Sequence, residues 1–115
     1  MKRGDVYYAR LDPAEGSEQA GTRPVVIVSH DTINEYSSVI LTVPCTTYRG
    51  QRVFRTQVLL RARDGGLEVD SVAMAEQARA IDKLRLTNLR GTVSAGALRQ
   101  LERALLIAFG LPGPV

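Results

Sequence analysis

The sequence predicts a mainly β protein completed by one C-terminal α-helix, an α+β arrangement built on a small antiparallel barrel or curled sheet. Short runs rich in Val, Ile, Thr and Tyr follow one another with Asp-Pro, Arg-Gly and Gly-Gly turns between them. Strands at such close spacing favour a small barrel of antiparallel strands. The one long helical periodicity lies near the end of the chain, from Ser94 to Phe109. At 115 residues the chain is long enough for one core without a disulfide or metal staple, so residues 1–115 are read as a single domain.

Each element has its own warrant. Val6 to Leu11 alternates as a half-buried strand, and Asp12-Pro13 with Gly16 and Ser17 opens a polar loop to about Arg23. Pro24 to Ser29 is a β-branched run to be buried on both faces, with Pro24 at its first position, where no ladder donor is needed. Asp31 to Tyr36, with Asp31 as an acceptable cap, predicts one helical turn, and Ser38 to Thr46 a third strand. Tyr48 to Arg52 reads as a turn, Val53 to Leu60 as a fourth strand, and Asp64-Gly65-Gly66 as a turn. A strand or strand pair then runs from Asp70 to about Ile81. Ser94 caps the final helix, Leu98, Leu101, Leu105 and Ala108 share one face, and Gly110 with Pro112 stops it.

Composition removes several kinds of chemistry. No apolar run approaches the length that crosses a bilayer, and the first residues lack the apolar core of a signal peptide, so a cytoplasmic protein is expected. Cys45 is the only cysteine, which excludes an intrachain disulfide and any site of several thiolates; it reads as a buried strand residue rather than a nucleophile. His30 is the only histidine, which rules out a two-histidine acid–base pair. Neither a phosphate-binding Gly-Lys loop nor a dinucleotide Gly motif occurs, and no cofactor is expected.

The charge is uneven although the net value is only +3. Arg49, Arg52, Arg55, Arg61 and Arg63 fall within Tyr48–Arg63, which holds no acid. Such a field suits a polyanion, and equally serves solubility.

The remaining chemistry-bearing groups are Arg23 and Thr46 at strand ends, with Glu18 and Glu76 as carboxylates within possible reach. They suit cleavage of RNA by its own 2′-hydroxyl. That reaction needs a base, a proton source for the departing 5′-oxygen, and donors aimed at the phosphorane's equatorial oxygens. Arg23 supplies a forked set of donors and Thr46 a small hydroxyl. Taken singly, each is also an ordinary residue of its setting: a solvated arginine before proline, a threonine chosen for β propensity, a solvent-facing glutamate.

The ordered motifs Arg3-Gly4-Asp5-Val6, Gly16-Ser17-Glu18-Gln19-Ala20-Gly21-Thr22-Arg23-Pro24, Val43-Pro44-Cys45-Thr46-Thr47, Gly66-Leu67, Asp70-Ser71 and Glu76-Gln77-Ala78-Arg79-Ala80-Ile81-Asp82, with Asn34, resemble the MazF/PemK family of toxin endoribonucleases. The resemblance covers nearly the whole chain. It implies an SH3-like barrel with a C-terminal helix, a twofold homodimer that binds single-stranded RNA, and inhibition by a cognate acidic antitoxin. It further implies metal-independent cleavage within a short sequence of messenger RNA, leaving a 2′,3′-cyclic phosphate and a 5′-hydroxyl. Arg23 and Thr46 fall on the family's catalytic arginine and threonine, and Glu18 on the acidic position of its loop. Glu76 is a possible further catalytic residue, standing where many members carry Asp. Thr22 occupies a position where some relatives have an imidazole. Thr47, Tyr48, Arg49, Arg52 and Arg79 are the expected RNA contacts.

Two rival readings belong to other classes. A CcdB-like gyrase poison resembles this fold, but that activity depends on a C-terminal tryptophan and this chain has none. A noncatalytic nucleic-acid-binding barrel would use the same arginines and leave RNA intact.

Overall fold

Seven strands and two helices follow in the order β1 (Asp5–Arg10), β2 (Thr22–Ile27), α1 (Asp31–Tyr36), β3 (Val39–Thr47), β4 (Gln57–Leu60), β5 (Ser71–Met74), β6 (Arg79–Asp82), β7 (Leu86–Thr92) and α2 (Ala95–Phe109). They are those of a computed structural model that describes residues 1–113. All strand pairs are antiparallel, in the order β4-β5-β3-β2-β1-β7, and β6 continues the edge of β3 that β5 begins.

The β-branched run of β2 is buried on both faces, as its composition predicts: Val25, Val26 and Ile27 are all fully buried. Alternation sends neighbours to opposite sides. Val26 joins Val6, Val43, Cys45 and Val58 beneath Leu101 and Ala104 of α2, while Val25 and Ile27 pack with Ala9, Leu11, Ile40 and Ile81 on the other face. Ser94 caps α2 by accepting the Ala97 N–H at 3.2 Å, and Gly110 ends it in the left-handed region. Leu98, Leu105 and Ala108 lie against the first core, so the predicted face of α2 is the one that packs.

Several details depart from the sequence reading. His30, not Asp31, caps α1: its Nδ1 accepts the Thr32 N–H at 3.1 Å. The Asp31 carboxylate instead accepts the Arg3 backbone N–H, which, followed by the Asn34 side chain, holds it below the usual carboxylate range. Pro24 stands third in β2, not first. The fourth strand is only Gln57–Leu60, because β5 offers four partners, and the Gln57 side chain instead accepts the Phe54 N–H in a turn. Residues 70–81 form a strand pair broken by a 3-10 turn at Ala75–Gln77.

The strand β7 is absent from the sequence reading. It lies at the end of the sheet, paired only with β1, and most of it is exposed, so its residues carry little alternation. The 3-10 turn Asp64–Gly66 presses against it. A Cβ on Gly66 would lie 2.0 Å from the Arg90 carbonyl oxygen, and the glycine has φ +73°, so both space and conformation demand glycine there. No helix among the described residues is long and apolar enough to cross a membrane.

Candidate active site

The site begins with a missing donor. β2 and β3 pair through Ile27–Thr42, Val26–Val43 and Val25–Pro44. The Val28 N–H donates to the Leu41 carbonyl at 3.0 Å, so hydrogen-bonded pairs fall on alternate residues: 28 with 41, 26 with 43, and next Pro24 with Cys45. Pro24 has no N–H, and the ladder ends before that pair. β3 instead continues along β5, pairing Cys45–Ala73, Thr46–Val72 and Thr47–Ser71, while β2 stays with β1. The two strands therefore part as a fork.

A cleft of about 210 Å³ fills the fork, with Thr22, Arg23 and Pro24 on one bank and Cys45, Thr46 and Thr47 on the other. Arg23 and Thr46 occupy the positions that would face each other two steps beyond the last pair. The Arg23 Nη1 donates to the Thr46 Oγ1 at 3.4 Å, and its Nε donates to the Ala20 carbonyl at 3.0 Å. Among the described residues Arg23 belongs to no ion pair. Its guanidinium is thus oriented by neutral acceptors and keeps its charge uncompensated, a setting suited to a phosphate.

Cys45 is fully buried, and burial alone pushes its thiol up to about 12. It remains a neutral packing group at physiological pH, as expected of a buried strand residue.

Glu18 and Glu76 lie together in a second cleft of about 470 Å³, with Ser17, Gln19, Gln77 and Arg79. No residue lines both clefts. The Glu18 carboxylate accepts the Glu15 N–H at 2.8 Å, and that of Glu76 accepts the Gln57 amide at 2.6 Å and the Thr56 hydroxyl at 3.4 Å. In this conformation neither glutamate meets Arg23 or Thr46. Arg79 donates to the Leu11 carbonyl at 3.4 Å.

The other expected RNA contacts are divided. Thr47 lines the fork. Tyr48 is half-buried, its N–H donating to the Asp70 carbonyl at 2.8 Å, and Arg49 and Arg52 are exposed. The Arg52 guanidinium lies 4.8 Å from the Phe54 ring centre. Among the described residues no group of three or more His, Cys, Asp or Glu side chains is placed to hold a metal ion.

A family model of the PemK-like, MazF-like toxin of type II toxin-antitoxin systems matches residues 2–109. The chain belongs to this family. Solved structures agree with that assignment. A mycobacterial endoribonuclease in complex with its cognate antitoxin is 29% identical, with 99% of each chain covered and a TM-score of 0.81. The Mycobacterium tuberculosis toxin MazF-mt6 is 25% identical over 95% of this chain and 99% of its own, with a TM-score of 0.79. Deinococcus radiodurans MazF, at 23% identity over 96% and 97%, shares the fold with a TM-score of 0.82.

In this PemK/MazF-like toxin the fork has lining residues that sequence reasoning missed. Tyr8 and Glu68 line it, as the one aromatic and the one acid of that cleft. Tyr8 reads in sequence only as a strand residue, and Glu68 as a residue after a turn. The close approach of Gly66 to β7 puts Glu68 beside Arg90, and nothing local signals it.

Proposed function

We propose that this toxin is a sequence-specific, metal-independent endoribonuclease that cleaves single-stranded messenger RNA at the fork between β2 and β3. The observation that carries this reading is the Arg23 guanidinium, free of any carboxylate among the described residues and donating to Thr46 at 3.4 Å across the fork. In the reaction the ribose 2′-oxygen attacks the adjacent phosphorus, its proton passes to a base, and the bond to the 5′-oxygen breaks as that oxygen takes a proton. The products are a 2′,3′-cyclic phosphate and a 5′-hydroxyl. Arg23 stabilises the charge growing on the equatorial oxygens, and Thr46 positions the same phosphate. Glu18, with Glu76 after it, is the proposed base; this requires the loop before β2 to carry the Glu18 carboxylate off the Glu15 N–H and over the fork.

The endoribonuclease character of the mycobacterial relatives supports the reaction class. Capture of one of them with its cognate antitoxin supports an antitoxin partner here. Such a partner, acidic and partly disordered, covers the arginines by charge complementarity. A homodimer and a cytoplasmic location complete the reading. Apolar surface near the end of α2, where Phe109 is 66% exposed, supports association.

The deciding experiment incubates the protein with a long defined RNA in EDTA, maps the ends, and repeats the assay with Arg23→Ala and Thr46→Ala. Cyclic phosphate and 5′-hydroxyl ends, lost in both variants, are expected. Intact RNA, 5′-phosphate ends or fully active variants refute the mechanism, and binding without cleavage favours the noncatalytic barrel.

A further inference from the structure

The wall of the fork contains a charged stack with no part in the chemistry above. The Arg90 guanidinium on β7 lies 5.1 Å from the ring centre of Tyr8 on β1, and its Nη2 donates to the Glu68 Oε1 at 3.0 Å. Tyr8 and Glu68 line the cleft that Arg23 and Thr46 line; Arg90 stands behind them. The Arg90 side chain is 29% exposed and that of Glu68 71%. The arginine is therefore the anchored member, packed against a strand, and the carboxylate is the member that solvent or a ligand meets.

A carboxylate in a phosphate site is unfavourable unless it is neutralised or meets a donor on the ligand. Arg90 neutralises Glu68 and engages one of its oxygens. A carboxylate has about four acceptor positions, so acceptor capacity remains on the cleft side. Beside it, the Tyr8 ring offers a flat apolar surface of the kind on which nucleobases stack.

We infer that Glu68 is a base-selecting residue of the fork: it accepts a hydrogen bond from the amino-bearing edge of a nucleobase lying against Tyr8, with Arg90 holding it in place. The inference rests on the RNA-cleavage reading and assigns part of its sequence specificity. An acceptor-only group discriminates by what the base presents. Guanine, adenine and cytosine each carry an exocyclic amine on the Watson–Crick edge. Uracil offers only N3–H between two carbonyl oxygens, which a carboxylate repels. At the position next to Tyr8, uracil is therefore disfavoured.

The test cleaves a randomised RNA pool with wild type, Glu68→Ala and Glu68→Gln, and compares base frequencies at every position around the cut. Wild type depletes uracil at one position by roughly tenfold or more, the scale of a hydrogen bond to a charged group. Glu68→Ala levels that position. Glu68→Gln admits uracil, because an amide both donates to a uracil carbonyl and accepts from N3–H. Unchanged frequencies in all three proteins, or a uniform loss of rate with preferences intact, overturn the role of Glu68 and leave the cleavage reading standing. Intact RNA with wild type overturns both.

Discussion

Pro24 faces Cys45 at the point where β2 and β3 would form their next hydrogen-bonded pair, and the proline has no N–H to give. The β2–β3 ladder ends before that pair while β3 continues along β5, and the cleft between Arg23 and Thr46 lies just beyond. Replacing Pro24 by Val restores the donor and lets the ladder close one step further. Cleavage falls by roughly tenfold to a hundredfold as the two banks are drawn together. Stability changes little, because the added hydrogen bond, about 1 kcal/mol, offsets the greater freedom of the unfolded chain. Hydrogen exchange at residue 24 checks the first claim and thermal melting the last; an unprotected amide with full activity contradicts the account.

In the proposed mechanism Arg23 acts through the shape of its donor array as well as its charge. Loss of one preorganised donor costs about 3 to 4 kcal/mol of transition-state stabilisation. Arg23→Lys keeps the charge but not the fork, so it recovers little of the activity that Arg23→Ala loses. Both variants melt within about 0.5 kcal/mol of wild type, since Arg23 lies outside the two cores. Single-turnover cleavage beside a urea titration separates the two effects.

Cys45 makes stability depend on alkaline pH. Burial raises its thiol from an ordinary 9.0 to about 12, so the folded chain holds this proton more tightly than the unfolded chain does. The stabilisation is complete below the unfolded value and is lost as pH rises through the folded one. Between the two, its share of the decline is about 1.4 kcal/mol per pH unit. Cys45→Ala removes that share, so its stability falls less steeply than wild type between about pH 9 and 10.5, whatever the substitution costs at neutral pH. Parallel slopes refute the burial argument.

Gly66 and Gly50 both have positive φ but differ in what surrounds them. A Cβ on Gly50 meets nothing within 4 Å, whereas one on Gly66 meets the Arg90 carbonyl at 2.0 Å. Gly50→Ala costs roughly 1 to 2 kcal/mol for the left-handed conformation alone. Gly66→Ala costs on the order of 3 kcal/mol or more, because the turn must withdraw from β7. Denaturant midpoints of the two variants distinguish these costs.

What the sequence made legible follows burial and locality. Val25-Val26-Ile27 and the helix from Ala95 to Phe109 carry strong patterns because a core faces them continuously. Residues 86–92 carry little pattern because β7 pairs on one side and is largely exposed, and Val53 and Phe54 read as strand although β5 is too short to receive them. Arg23 and Thr46 stand out through their motifs, but the fork between them depends on a register set by residues far apart in the chain. Glu18 and Glu76 are drawn to Arg23 by chemistry alone, and the structure puts them in a separate cleft. Tyr8 meets Arg90 through the pairing of β1 with β7, and Glu68 joins them through the approach of Gly66 to β7; both are tertiary contacts with no local trace.

The pairing of β1 with β7 joins distant parts of the chain, as in the hydrogen bond from Thr92 to Asp5 across 87 positions. During synthesis β1 therefore waits with one edge bare until β7 has left the ribosome, several seconds or more at roughly 5 to 20 residues per second. Arg90 arrives with that strand, so the wall behind Tyr8 is among the last parts of the molecule to be assembled. A nascent toxin with β2 and β3 already paired still lacks this side of its cleft, and the order of translation delays the moment at which it can act as an endoribonuclease.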